Sequence, residues 1–242
     1  MSTFTKILLF SLIPVTTMVI GGIIALIKKP SGNIRSLILH FAAGVVFSVV
    51  AVEILPDIIK NHLPVMTIVG FAFGFLAMVG IKKLMEGKEM KQTVSASNSI
   101  PWSLITGIGV DILIDGLLLG IGFAAGETEG ILLSVALAIE LLSLGMATAT
   151  ELGDNQITTK KSIGLIVGLA LVFFTSAILG ATILNNASHN VMDLVLSFGL
   201  SALLFLVTEE LLKEAHEEKE TVWHTAAFFG GFLLFVILGM YV

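Results

Sequence analysis

DILIDGLLLGIGFAAGETEGILLSVALAIELLSLG, residues 111–145, is the stretch from which the fold is read. Two apolar runs flank a short polar break, GETEG at 126–130. With its neighbours each run is long enough to cross a hydrocarbon layer of about 30 Å, which takes about 20 helical residues. The pair therefore reads as two antiparallel helices, roughly 101–125 and 130–152. Three acids, Asp111, Asp115 and Glu140, lie near mid-span in this hairpin, and no Lys or Arg lies at the centre of any span.

The rest of the chain follows the same pattern. Hydrophobic residues make up 56% of it and charged residues 13%, with a mean hydropathy of +1.02. Soluble domains carry about 25% charged residues, so most of this surface must meet lipid. Apolar runs predict further spans at roughly 5–27, 34–57, 63–85, 161–184, 190–212 and 221–242, eight in all. The first is longer than the apolar core of a secretory signal and is read as a membrane helix. The chain is expected to form an all-α polytopic membrane protein with one transmembrane domain, 1–242, and a short cytoplasmic loop at about 86–100. Cysteine is absent, which removes disulfides and thiolate ligands.

Basic residues set the orientation. Lys28, Lys29, Arg35, Lys82, Lys83, Lys88, Lys91, Lys160, Lys161, Lys213 and Lys219 fall in one set of alternate loops, and only Lys6 and Lys60 in the other. The positive-inside rule then puts both termini on the non-cytoplasmic side of the cell (inner) membrane. Two short internal similarities run across antiparallel spans. DILIDG at 111–116 resembles ELLSLG at 140–145, and EILPD at 53–57 resembles ELLKE at 210–214. Matches of this kind are the signature of an inverted-topology repeat, and they predict a 3+2+3 arrangement of helices.

A carboxylate at the bilayer centre costs about 2.5–3.5 kcal/mol on insertion scales, so it needs a partner or a wet cavity. Asp111 and Asp115, four residues apart, share one helix face, where like charges repel. Without basic neighbours they are left with protonation or a bound cation, and one divalent ion satisfies Asp111, Asp115 and Glu140 together. Ser143, one turn past Glu140, offers a neutral oxygen to the same core site. Two outlying acidic pairs suggest vestibules: Glu53 with Asp57 at the entrance, and Glu209 with Glu210 at the exit, joined there by His40. Acids and a histidine near helix ends also reach water or cap helices, so these two sets have an ordinary structural alternative.

These residues resemble motifs of the ZIP family of divalent metal transporters, nearest its GufA-like bacterial branch. HFAAGVVFSVVAVEILPD at 40–57 resembles the family's second helix, DILIDGLLLGIGFAAG at 111–126 is similar to its fourth-helix HNxPEGLAxGxGF pattern, and TEELLKEAH at 208–216 resembles EELIPEAH of its seventh. The resemblance covers most of the chain. It implies that Asp111 stands where the family has a histidine ligand, that Asp115 stands at an acidic ligand, and that Glu140 is the first ligand of the fifth helix. It also implies that Leu144 replaces a metal-bridging glutamate, and that only the hydroxyls of Thr175 and Ser176 stand near the sixth-helix ligand. One core metal is expected rather than two. An all-oxygen site moves selectivity toward manganese or iron, with zinc and cadmium retained as family substrates.

The expected activity is non-enzymatic: a carrier that moves a divalent cation (Zn, Fe, Mn or Cd) toward the cytoplasm by alternating access. The alternatives are a transport-silent metal-binding or sensing relative, and an intramembrane aspartyl protease suggested by two buried aspartates near GIG at 107–109. A catalytic dyad needs its acids on facing helices, whereas Asp111 and Asp115 share one. The expected partners are the metal ion, the lipid bilayer and a second copy in a homodimer; nothing in the sequence suits nucleic acid.

Overall fold

A computed structural model describes residues 3–89, 100–184, 188–216, 218–219 and 221–241. All of its regular structure is helical, and eight helices are long and apolar enough to cross a membrane. They are α1 (Thr3–Ile27), α2 (Gly32–Asn61), α3 (Pro64–Glu89), α4 (Trp102–Ala125), α5 (Glu127–Asp154), α6 (Thr159–Leu184), α7 (His189–Ala215) and α8 (Val222–Gly239). The protein is a multi-pass membrane protein. Because α3 continues to Glu89, the expected loop at 86–100 is shorter at its start, and its remainder at 90–99 lies outside the described residues.

The helices form two tiers. In α2, α4, α5 and α7 half or more of each apolar window is buried, against two fifths or less in α1, α3, α6 and α8. The outer four turn Ile27, Ile68, Leu76, Leu171, Phe229 and Leu233 outward, as a lipid-facing surface does. Small residues let the tiers approach closely. At Gly44 a Cβ would run into the Phe228 carbonyl of α8, and at Gly120 it would run into Ala177 and Gly180 of α6.

The packing obeys an internal two-fold pattern. The most extensive contacts pair α1 with α5, α4 with α6, α2 with α8 and α3 with α7, and α1 also packs on α6. Exchanging α1–α3 for α6–α8 and α4 for α5 maps this set onto itself. The caps repeat as well. Ser31 opens α2 by accepting from the Ile34 amide, and Ser188 opens α7 by accepting from the Val191 amide. The two serines are 157 positions apart, as are Glu53 and Glu210. Successive spans alternate in direction, so the copies are inverted, and the 3+2+3 repeat extends well beyond the two short matches visible in the sequence.

Each copy also breaks its long central helix in the same place. The α2 ladder widens to a π-helical turn at Val50–Ile54, and the α7 ladder does so at Leu206–Leu211. A π turn inserts one residue without ending the helix, rotates the remainder of the helix about its axis, and recurs at functional sites. Glu53 lies in the first of these turns, and Glu209 and Glu210 lie in the second.

Ion pairs at the two ends of the bundle agree with the alternating directions. The two ends are labelled outer and inner after the orientation that the lysine count predicts: at the end labelled outer Lys6 pairs with Glu127, and at the end labelled inner Lys29 pairs with Asp154, Arg35 with Glu214, and Lys82 with Glu209. The turn joining α2 to α3 is fixed at the outer end by Asp193 of α7, which is fully buried. It accepts hydrogen bonds from Asn61 (3.0 Å) and Thr67 (3.2 Å).

Candidate metal centre

Along α4, residues 111, 115, 118 and 122 repeat at three or four positions and so share one face. Facing them on α5 are Glu129, Leu133, Glu140, Ser143 and Ala147, also at helical spacing. The interface of α2, α4, α5 and α7 holds two cavities, one toward each end. The inner cavity, about 50 Å³, is lined by Leu39 of α2, Asp111 of α4, Glu140, Ser143 and Leu144 of α5, and Glu210 and Glu214 of α7, among others. That volume holds a few waters or a partly hydrated ion.

The oxygens of this cavity are incompletely satisfied. Glu140 is 2% exposed and Ser143 is 1% exposed; Glu140 Oε2 and Ser143 Oγ have no hydrogen-bond partner. Asp111 is hydrogen-bonded to Glu210 across the gap between α4 and α7. Two carboxyl groups in contact need a proton or a cation between them. Buried polar atoms are normally paired, so the two orphaned oxygens beside two touching carboxyls are acceptors that a water or a cation can satisfy. Neutral and acidic oxygens from three helices could hold a hard or borderline divalent cation. Among the described residues no three His, Asp or Glu side chains already converge as a closed metal cage.

Of the expected core residues, Asp111, Glu140 and Ser143 line this one cavity; Asp115 is not part of its lining, but its carboxyl lies within electrostatic reach of Glu140 and Glu210. Asp115 is 1% exposed and lies one turn outward from Asp111, with Oδ2 unpartnered, between the levels of the two cavities. Glu210 takes the fourth place. It was expected at an exit vestibule with Glu209, but adjacent positions on a helix point about 100° apart. Glu209 is exposed and pairs with Lys82 of α3, outside the cavity, while Glu210 turns inward. Leu144 lines the cavity as an apolar wall. Thr175 and Ser176 bond to carbonyls of their own helix and line neither cavity.

The outer cavity, about 20 Å³, is lined by Asp57 of α2 and Glu129 of α5 among apolar residues of α2, α4, α5 and α7. Asp57 and Glu129 are hydrogen-bonded, Asp57 also accepts from Lys60 at 3.1 Å, and Glu53 lies within electrostatic reach of both acids. The expected entrance pair thus gains Glu129. Sequence reasoning missed Glu129: it stands in the first turn of α5, where an acid is stabilised by the helix dipole, and it is far from Glu53 and Asp57 in the chain.

His40 departs from expectation. It joins neither Glu209 nor Glu210; its ring lies between those of His216, at the end of α7, and His224, in the first turn of α8. α2 is held in this position by Ser36, whose hydroxyl donates to the Ala215 carbonyl at 2.7 Å, and by the pairing of Arg35 with Glu214.

No protein-family model matches the chain, and no curated protein is significantly similar to it.

Proposed function

We propose that this membrane protein is a divalent metal cation transporter that carries ions toward the cytoplasm by alternating access, with its cation site in the inner cavity. The observation that carries this reading is the group Asp111, Glu140, Ser143 and Glu210: four oxygen-bearing side chains from three helices, with Glu140 Oε2 and Ser143 Oγ unpartnered. Two cavities stacked along one four-helix interface, each acidic, suit a carrier that opens to one side at a time. The inverted repeat supports it, because two copies of opposite sense give such a carrier two related end states. The motif resemblance to the ZIP family points the same way, with manganese and iron(II) favoured by the oxygen ligands, and zinc and cadmium as further substrates. In this reading Asp111 and Glu140 bind the ion, Ser143 and Glu210 complete its shell, and Glu53, Asp57 and Glu129 gather cations at the outer mouth.

The contact between Asp111 and Glu210 also meets the facing-helix requirement of a carboxyl dyad, which favours the protease reading more than the sequence did. A cavity of about 50 Å³ opposes it, since an extended peptide needs several times that space.

Purified protein reconstituted into liposomes separates these readings. Transport predicts entry of radiolabelled manganese or zinc that falls to background in Asp111→Ala and Glu140→Ala. Metal binding without flux in the native protein would make it a sensor, and cleavage of a transmembrane peptide without flux would make it a protease.

A further inference from the structure

Two helices meet at the inner rim of the inner cavity. On α7, Glu214 stands one turn beyond Glu210, and both line the cavity. On α2, Arg35 stands one turn beyond Leu39, which also lines it. Arg35 Nη2 pairs with Glu214 Oε1 across the gap between these helices. The same junction is drawn together by the Ser36 hydroxyl, which donates to the Ala215 carbonyl at 2.7 Å, and by Glu218, whose carboxyl lies against Gly32 in the first turn of α2.

Among the described residues, this is the only ion pair that joins a cavity-lining carboxylate to a cation on another helix. The internal repeat sharpens the contrast. Asp57 occupies in the first copy the position that Glu214 occupies in the second, 157 residues on. It pairs with Lys60 of its own helix, so its cation bridges no gap between helices.

The inner pair is also built to part. Its two side chains are 33% and 31% exposed, and water weakens an ion pair that it reaches. Arg35 Nε is buried and has no hydrogen-bond partner, so the side-on, two-pronged grip on a carboxylate is not formed. A buried donor left unsatisfied destabilises the closed arrangement, and opening lets water reach it. A divalent ion in the cavity acts in the same direction, attracting Glu214 and repelling Arg35.

We propose that Arg35 is a tethered counter-cation that closes the inner cavity: paired with Glu214 it holds α2 to α7, and the cavity opens to the inner side when that pair separates. The purpose of the closure rests on the transport reading, in which an ion bound at Asp111 and Glu140 leaves past Glu214. The closure itself is measured with no metal present, so its failure and a failure of transport are told apart.

A cysteine placed at Ala147, which lines the inner cavity, reports the opening. The chain has no other cysteine, so Ala147→Cys protein in detergent reacts with a small charged methanethiosulfonate at that position alone. The rate follows the population of the open form, and Arg35→Gln is expected to raise it about tenfold over the native pair. Exchanging the charges, with Arg35→Glu and Glu214→Arg together, is expected to return the rate to the native value, which a variant that merely unfolds cannot do. Lys82→Gln, which removes the ion pair with Glu209 outside the cavity, is expected to leave the rate unchanged. An unchanged rate in Arg35→Gln, a charge exchange that labels as fast as the single variant, or an equal rise in Lys82→Gln would overturn the assignment. Uptake of manganese into liposomes is read separately and bears on the transport reading alone.

Discussion

Glu209 and Glu210 sit side by side in the chain, yet one reaches Lys82 at the exposed edge of α7 and the other reaches Asp111 inside the cavity. Glu210→Gln is accordingly expected to reduce metal uptake as severely as Glu140→Gln, while Glu209→Gln leaves it unchanged in the same liposome assay. A second residue-scale consequence concerns Asp193. Replacing it by Ala removes the acceptor of the half-buried Asn61 amide, a hydrogen bond that contributes about 0.5–1.5 kcal/mol, while the Thr67 hydroxyl keeps the Leu63 carbonyl as its acceptor. Asp193→Ala should lower the melting temperature in detergent, and Asp193→Asn, which keeps one acceptor, should lower it less. The sequence identified Asp111, Glu140 and Ser143 because equal depth on antiparallel neighbours can be read from hydropathy alone. It did not identify Glu210 as their companion, because the direction in which α7 turns that residue depends on the helix's rotation, and apolar composition leaves rotation undetermined.

The π turns supply that rotation. Val50–Ile54 and Leu206–Leu211 are apolar apart from their acids and Thr208, and nothing in their composition distinguishes them from the α-helix on either side. The eight spans were legible from run length, with end points within a few residues, whereas the one-residue insertions within two of them were not. Thr208 is exposed and bonds only to carbonyls of its own helix, at 2.8 Å to Leu204 and 3.4 Å to Phe205, so it can be removed with little loss of packing. Deleting it restores an α-helical ladder and turns Glu209 and Glu210 by about 100° relative to the N-terminal part of α7. The deletion variant is expected to keep its far-ultraviolet helical signal and lose metal uptake. Retained uptake would mean that the π turn does not place Glu210.

For the whole molecule, the inverted repeat links the outer acidic group to the inner cavity, since Glu53 and Glu210 occupy equivalent positions in copies of opposite sense. The lysine count predicts the sidedness, with both termini outside. The native chain has no cysteine, so single introduced cysteines report cleanly. A cysteine at exposed Trp102 or Lys161 is expected to be shielded from an impermeant maleimide added to intact cells, and one at His189 or Tyr241 to be labelled; the reverse pattern would invert the direction of transport. Transport by this protein requires the orphaned oxygens of the inner cavity to be a cation site. Crystals of the native protein soaked in manganese(II) test this directly through anomalous scattering. A manganese peak is expected within bonding distance of Asp111 and Glu140, with Ser143 or Glu210 in its shell. A cavity filled only by water, with manganese bound elsewhere, would contradict it.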